Sequence, residues 1–118
     1  MRVVEIGSRD YTRVECMDEP GAGGACHEYK VVCVDDTDCL ELAKVSFQKG
    51  FVKESGVNGC HQEDLIAIVI DRLQHFQKGD YSCRENALAI TKLEEAMMWL
   101  NKRTQDRKNR GVEGTSVK

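Results

Sequence analysis

The rhythm of apolar and polar residues changes near residue 60 and divides the chain into two kinds of structure. Before that point, four short runs rich in β-branched and aromatic residues lie between turn-forming residues, which predicts strands over Arg2 to Ile6, Tyr11 to Met17, Tyr29 to Val34 and Leu42 to Phe51. Tyr29-Lys30-Val31-Val32-Cys33-Val34 is nearly continuous in apolar character, so it reads as a central strand covered on both faces. Pro20 to Ala25 carries Gly21, Gly23 and Gly24 and reads as a flexible hairpin connection. It lacks the Lys-Ser/Thr ending of a phosphate-cradling loop. Gly50 to Gly59 has the character of a linker.

From His61 onward the period is helical. Glu63 and Asp64 fall in a first turn, where the positive end of the helix dipole favours carboxylates. Leu65, Ile66, Ile68, Val69, Ile70, Leu73 and Phe76 then span an arc too wide for one-sided packing, which predicts a helix buried on most of its circumference. Gln77-Lys78-Gly79-Asp80 ends it, with Gly79 as a left-handed cap. A second helix is expected from about Arg84 to about Arg107, with Ser82 or Asp80 as its N-cap. Asn86, Ile90, Leu93, Met97 and Leu100 form one stripe along it at alternating three- and four-residue steps, whereas Leu88, Met98 and Trp99 lie off the stripe. That second apolar face implies a second packing partner, another subunit.

The expected fold class is therefore α+β and oligomeric. A small antiparallel β-sheet fills residues 1–58, an antiparallel two-helix hairpin in 59–110 carries oligomerisation and ligand binding, and a tail runs over 111–118. A length of 118 residues suits one compact fold and leaves apolar surface for association. Met1 to Ile6 contains Arg2 and Glu5 rather than an apolar leader, and no run approaches the roughly 20 apolar residues that span a bilayer, so a cytosolic protein is expected. In that reducing compartment the cysteines, Cys16, Cys26, Cys33, Cys39, Cys60 and Cys83, are expected as free thiols. The adjacent Cys60 and His61 come without the further spaced ligands of a structural zinc site, so no metal is expected. Asp35, Asp36 and Asp38 lack the rest of a calcium loop and read as a solvated turn.

The net charge of −3 conceals a local basic excess: Lys102, Arg103, Arg107, Lys108 and Arg110 stand against Asp106 alone between residues 102 and 110. That segment is a candidate anion site. Arg103 and Arg107 are one helical turn apart and can bracket a pyrophosphate with two guanidinium forks; the same pair also suits a solvated turn that complements the helix dipole. Phe76 and Asn86 bracket the hairpin turn, where a ring can stack on a purine and a carboxamide can meet a base edge or ribose. Their alternative roles are a core ring and a helix-start residue. Asn86 and Arg103 stand 17 positions apart on one helix, about 25 Å at the helical rise. One small ligand cannot touch both within a chain, but an antiparallel two-fold dimer would bring Phe76 and Asn86 of one protomer to Arg103 and Arg107 of its partner. No nucleophile, base and orienter converge, so no catalysis is expected. The alternatives are a nucleotide-processing enzyme and a small nucleic-acid-binding oligomer, the latter opposed by the net acidity.

The stretches Asp64 to Leu73, Cys83-Arg84-Glu85-Asn86-Ala87-Leu88-Ala89 and Thr91 to Arg103 are similar to the helical hairpin shared by phage nucleotide sponges, notably the first Thoeris anti-defence family and its anti-CBASS relatives. The β-rich first half agrees with the Thoeris branch. The resemblance implies a phage protein of the host bacterial cytosol that binds glycocyclic ADP-ribose made by TIR-domain proteins without cleaving it, and so blocks Thoeris immunity. It also implies a homodimer or a hexamer built as a trimer of dimers, no cofactor, no nucleic-acid polymer and no membrane. Cyclic di- or trinucleotides of CBASS systems would bind at separate sites. By the resemblance, Phe76, Asn86, Arg103 and Arg107 match positions around the ADP-ribose pocket, and Arg84 matches the cyclic-oligonucleotide site. Ligand contacts from the first half are not aligned by it.

Overall fold

Residues 1–7, 9–34 and 40–118 are described by a computed structural model. Its strands are β1 (Arg2–Val4), β2 (Thr12–Cys16), β3 (Glu28–Cys33) and β4 (Glu41–Ser46), followed by α1 (Val52–Ser55), α2 (Gln62–Gln77) and α3 (Arg84–Asn109). The architecture is α+β, with the sheet before the hairpin as the change of period predicts. The chain divides into two compact units, Met1–Cys60 and His61–Lys118. The acidic turn expected at Asp35 to Asp38, and Cys39, lie outside the described residues.

In the first unit the strands pair in chain order, β1-β2-β3-β4, each antiparallel to the next. The interior place of β3 agrees with its apolar run. Its expected coverage on both faces does not hold: Val32 alone on β3 is buried and its other residues are half-buried. A four-stranded sheet accompanied in its own unit by only the single-turn α1 has no second layer for both faces. A bulge at Val31/Val32 shifts the β3–β4 register and accounts for the imperfect alternation around Leu42. Glu15, only 4% exposed, is not left unpartnered: it forms an ion pair with Arg13 at 2.8 Å and a longer one with its cross-strand neighbour Lys30 at 3.6 Å.

The Pro20–Ala25 connection joins β2 to β3 as a hairpin, but it is bonded to itself. Gly21 N donates to Ala25 O at 2.8 Å around a 3₁₀ turn at Ala22–Gly24. Its base is closed by the Asp18 carboxylate, which accepts from His27 N and Glu28 N at 3.0 to 3.1 Å. Desolvation would raise the Asp18 pKa, yet these backbone donors outweigh it and hold the carboxyl below its ordinary range.

The fourth strand stops at Ser46 instead of running to Phe51. Beyond it the chain folds back, so that Cys60 pairs with Phe47 as a parallel bridge and accepts from Gln48 N at 2.8 Å. Asn58 completes the closure, exchanging two 2.7 Å hydrogen bonds with the backbone of Lys49. Gly50 to Gly59 is thus a built loop rather than a linker. The sequence shows its glycines but not the reason for Gly59, where a Cβ would overlap the Phe47 carbonyl group. Gly59→Ala is expected to cost about 1 to 3 kcal/mol through this overpacking. Thermal unfolding should show a melting point several degrees lower, and an unchanged one would mean that the loop is not held this tightly.

The second unit is the hairpin of α2 and α3. Asp64 caps α2, its carboxylate accepting from His61 N at 2.9 Å. Ile66, Ile70, Leu73 and Gln77 on α2 are half-buried, as are Asn86, Ile90, Leu93, Met97 and Leu100 on α3. The stripe read from the sequence is therefore the mating face of α3. The broad burial expected of α2 is not found. Ile68 is 63% exposed, Val69 44% and Phe76 37%, because a two-helix unit offers each helix only one neighbour. Leu88, Met98 and Trp99 are likewise exposed on α3.

The caps also differ from expectation. Gly79 is not left-handed; α2 closes on right-handed Lys78, with Lys78 N donating to His75 O at 3.1 Å and Gly79 N to Phe76 O at 3.2 Å. Neither Ser82 nor Asp80 caps α3. Cys83 does, its sulfur accepting from Asn86 N at 3.4 Å. Gln77 then clamps the turn, donating to Cys83 O at 3.0 Å and accepting from Cys83 N at 2.9 Å. At its far end α3 continues to Asn109 and stops at Gly111, whose φ of 74° permits the paired bonds Val112 N to Arg107 O and Gly111 N to Lys108 O.

Candidate functional site

The last three turns of α3 and the residues after Gly111 border an open groove of about 460 Å³, lined by Trp99, Lys102, Arg103, Asp106, Arg107, Arg110 and Lys118. Its cations differ in how far they are committed. Lys102 is tied to Asp106 at 2.9 Å. Arg107 is half-buried and donates from Nη2 to Val112 O and Thr115 O, both at 3.0 Å, which folds the following residues against the helix. Arg110 reaches the carbonyl of Lys118. Among the described residues no hydrogen bond or ion pair is formed by Arg103, which is exposed in the groove.

Arg103 and Arg107 are therefore brought together, as the four-residue spacing predicts. Arg107 is held in one orientation with guanidinium donors to spare, since the group carries five N–H bonds and two are engaged. Arg103 supplies a second fork beside it. An anion here must be gripped by side chains, because the backbone end of a helix is negative at its C-terminus.

Trp99 is the groove residue that the sequence reading missed, having been assigned only to the outer apolar face. Its spacing was the available signal: Trp99 and Arg103 are one turn apart, so an indole necessarily neighbours the free guanidinium. Beside the two guanidinium forks it offers a flat aromatic surface suited to stacking.

Phe76 and Asn86 stand at the turn end of the hairpin. The Phe76 ring lies under the Arg72 guanidinium, with Cζ 5.0 Å from its centroid. The Asn86 carboxamide is half-buried and donates to Tyr81 O at 3.5 Å. Arg84 is the first residue of α3 and is exposed, where a cation gains nothing from the helix dipole and is available to an anion. Because α3 is one uninterrupted helix, the Asn86 and Arg103 positions are separated by about 25 Å. The structure groups the two arginines and leaves Phe76, Asn86 and Arg84 at the other end of the same unit.

Two likenesses to known proteins accompany this geometry. The family model described as the Acb2/Tad1 hairpin domain matches residues 41–105, which takes in β4, α2 and most of α3, with Phe76, Arg84, Asn86 and Arg103 inside the match and Arg107 two residues beyond it. A protein of Bacillus phage SBSphiJ7 named Thoeris anti-defense 1 is 65% identical over 78 residues, covering 66% of this chain and 55% of that relative. The chain thus aligns with little more than half the length of the relative.

Proposed function

Because this chain belongs to the Acb2/Tad1 hairpin-domain family, we propose that it is an anti-Thoeris phage protein that captures glycocyclic ADP-ribose in the host bacterial cytosol and holds it without turnover. The observation that carries this reading is the arginine groove at the end of α3 in a chain 65% identical, over the aligned residues, to a protein named Thoeris anti-defense 1. Arg103 and Arg107 grip the pyrophosphate, a dianion whose oxygens match two planar forks. Trp99 flanks them with an aromatic face. Phe76 and Asn86 act on the adenine and ribose end, and they come from a second copy of the chain, since both stand at the turn end of the hairpin, away from their own arginines. A homodimer then holds two pockets, and three dimers build a hexamer. Arg84 serves cyclic di- or trinucleotides at sites distinct from these pockets.

Capture without catalysis has a direct chemical test. Calorimetric titration of the full chain with glycocyclic ADP-ribose should give one ligand per protomer. Protein denatured afterwards should release the ligand unaltered. A linearised or hydrolysed product would make the protein an enzyme, and the absence of any binding heat would remove the groove's assigned ligand.

A further inference from the structure

The first unit contains a second cluster of chemically active side chains. Cys16 closes β2, Asp18 follows it, and Cys26 ends the glycine-bearing connection to β3. One potential ligand atom from each of these three lies within 4.8 Å of the other two. The Nδ1 of His27, itself 7% exposed, is 3.9 Å from the Asp18 carboxylate. Cys16 is one of two fully buried apolar side chains among the described residues, the other being Val32. One of the two driest side chains among the described residues of this unit is thus a thiol beside a second thiol and a carboxylate, with an imidazole 3.9 Å from that carboxylate.

We propose that Cys16, Cys26 and Asp18 form a zinc site, with His27 or water in the fourth position. Zinc bonds of about 2.3 Å to sulfur and about 2.0 to 2.2 Å to oxygen or nitrogen put tetrahedral ligand atoms roughly 3.5 to 3.8 Å apart, so the cluster needs to contract by no more than about 1.3 Å. The pairing of thiolates with a carboxylate suits zinc and disfavours calcium or magnesium, which take oxygen ligands. Asp18 is already oriented by the backbone N–H groups of His27 and Glu28, the outer bonding that a ligating carboxylate requires. Two thiolates and a carboxylate around a divalent ion leave one negative charge. Arg2, paired with Cys16 in the β1–β2 register and donating to Cys26 Sγ at 3.9 Å, is placed to balance it. Binding converts each thiol to a thiolate and releases its proton to solvent; no electron is transferred. The site would staple both ends of the β2–β3 connection in a unit whose buried core is too small to do so by packing.

The experiment uses the full chain, purified under reducing conditions from cells grown with added zinc. About one zinc per chain is expected by elemental analysis. Replacement by cobalt(II) should give thiolate-to-cobalt charge-transfer absorption, and removal of metal by a chelator should lower the melting point by several degrees. Cys26→Ala should abolish the cobalt band, whereas Cys33→Ala, outside the cluster, should retain it. If Cys26→Ala does not fold, the reduced wild-type chain still decides: failure to develop the cobalt band overturns the site. So does recovery of metal-free protein with Cys16 and Cys26 joined as a disulfide. None of these readouts depends on nucleotide capture, so the zinc site and the proposed function fail or stand separately.

Discussion

Arg103→Ala is expected to weaken capture of glycocyclic ADP-ribose by tens- to thousands-fold, with the fold intact. A guanidinium that loses a desolvated phosphate contact costs roughly 2 to 5 kcal/mol, which sets that range. The position is informative because Arg103 makes no hydrogen bond or ion pair among the described residues. Its removal orphans nothing inside the protein, so circular dichroism and melting point should not move. Arg107 is a harder position, since it also holds the carbonyls of Val112 and Thr115. Arg107→Ala should weaken capture and loosen those residues together. Affinity within twofold of wild type for Arg103→Ala would mean that the groove is not the pocket.

A dimer should fall apart when charge is placed on the outer faces of the hairpin. Ile68 and Met98 are 63% and 68% exposed, lie off the α2–α3 mating faces, and do not line the arginine groove. If those faces meet a second copy, Ile68→Glu with Met98→Glu buries carboxylates without partners. Each costs several kcal/mol, so dimer dissociation should rise by about a hundredfold or more. Light scattering after gel filtration reads the change, and capture should be lost in parallel because the proposed pocket draws on two protomers. A wild-type chain that is monomeric and captures ligand fully would refute the shared pocket.

Periodic features of this chain were open to reading from sequence. The α3 stripe from Asn86 to Leu100 emerged as its mating face because a helix repeats every 3.6 residues and needs no distant partner to declare itself. The pairing of Arg103 with Arg107 followed from the same geometry. Apart from Trp99, whose spacing did signal its place, what escaped depended on contacts rather than on spacing. Cys83 caps α3 through sulfur, a role usually sought among oxygen-bearing side chains. Gly59 is required by the carbonyl of a residue twelve positions earlier, and no local pattern encodes that approach. Cys16 and Cys26 are separated by a loop, and only the closure of the β2–β3 hairpin makes them neighbours. The wide apolar arc of α2 was legible as an arc. What covers it is not in its own unit, because a two-helix unit gives α2 only α3 to pack against.

If the pocket is shared between two protomers as proposed, the unbroken run of α3 also governs dose. With the ends proposed to grip phosphate and to contact the base held apart by rigid backbone, an isolated protomer would possess two half-traps and no whole one. While most chains are still unpaired, the number of complete traps grows with the square of protein concentration. An infected cell would therefore pass abruptly, rather than in proportion to expression, from leaving the immune signal at large to draining it.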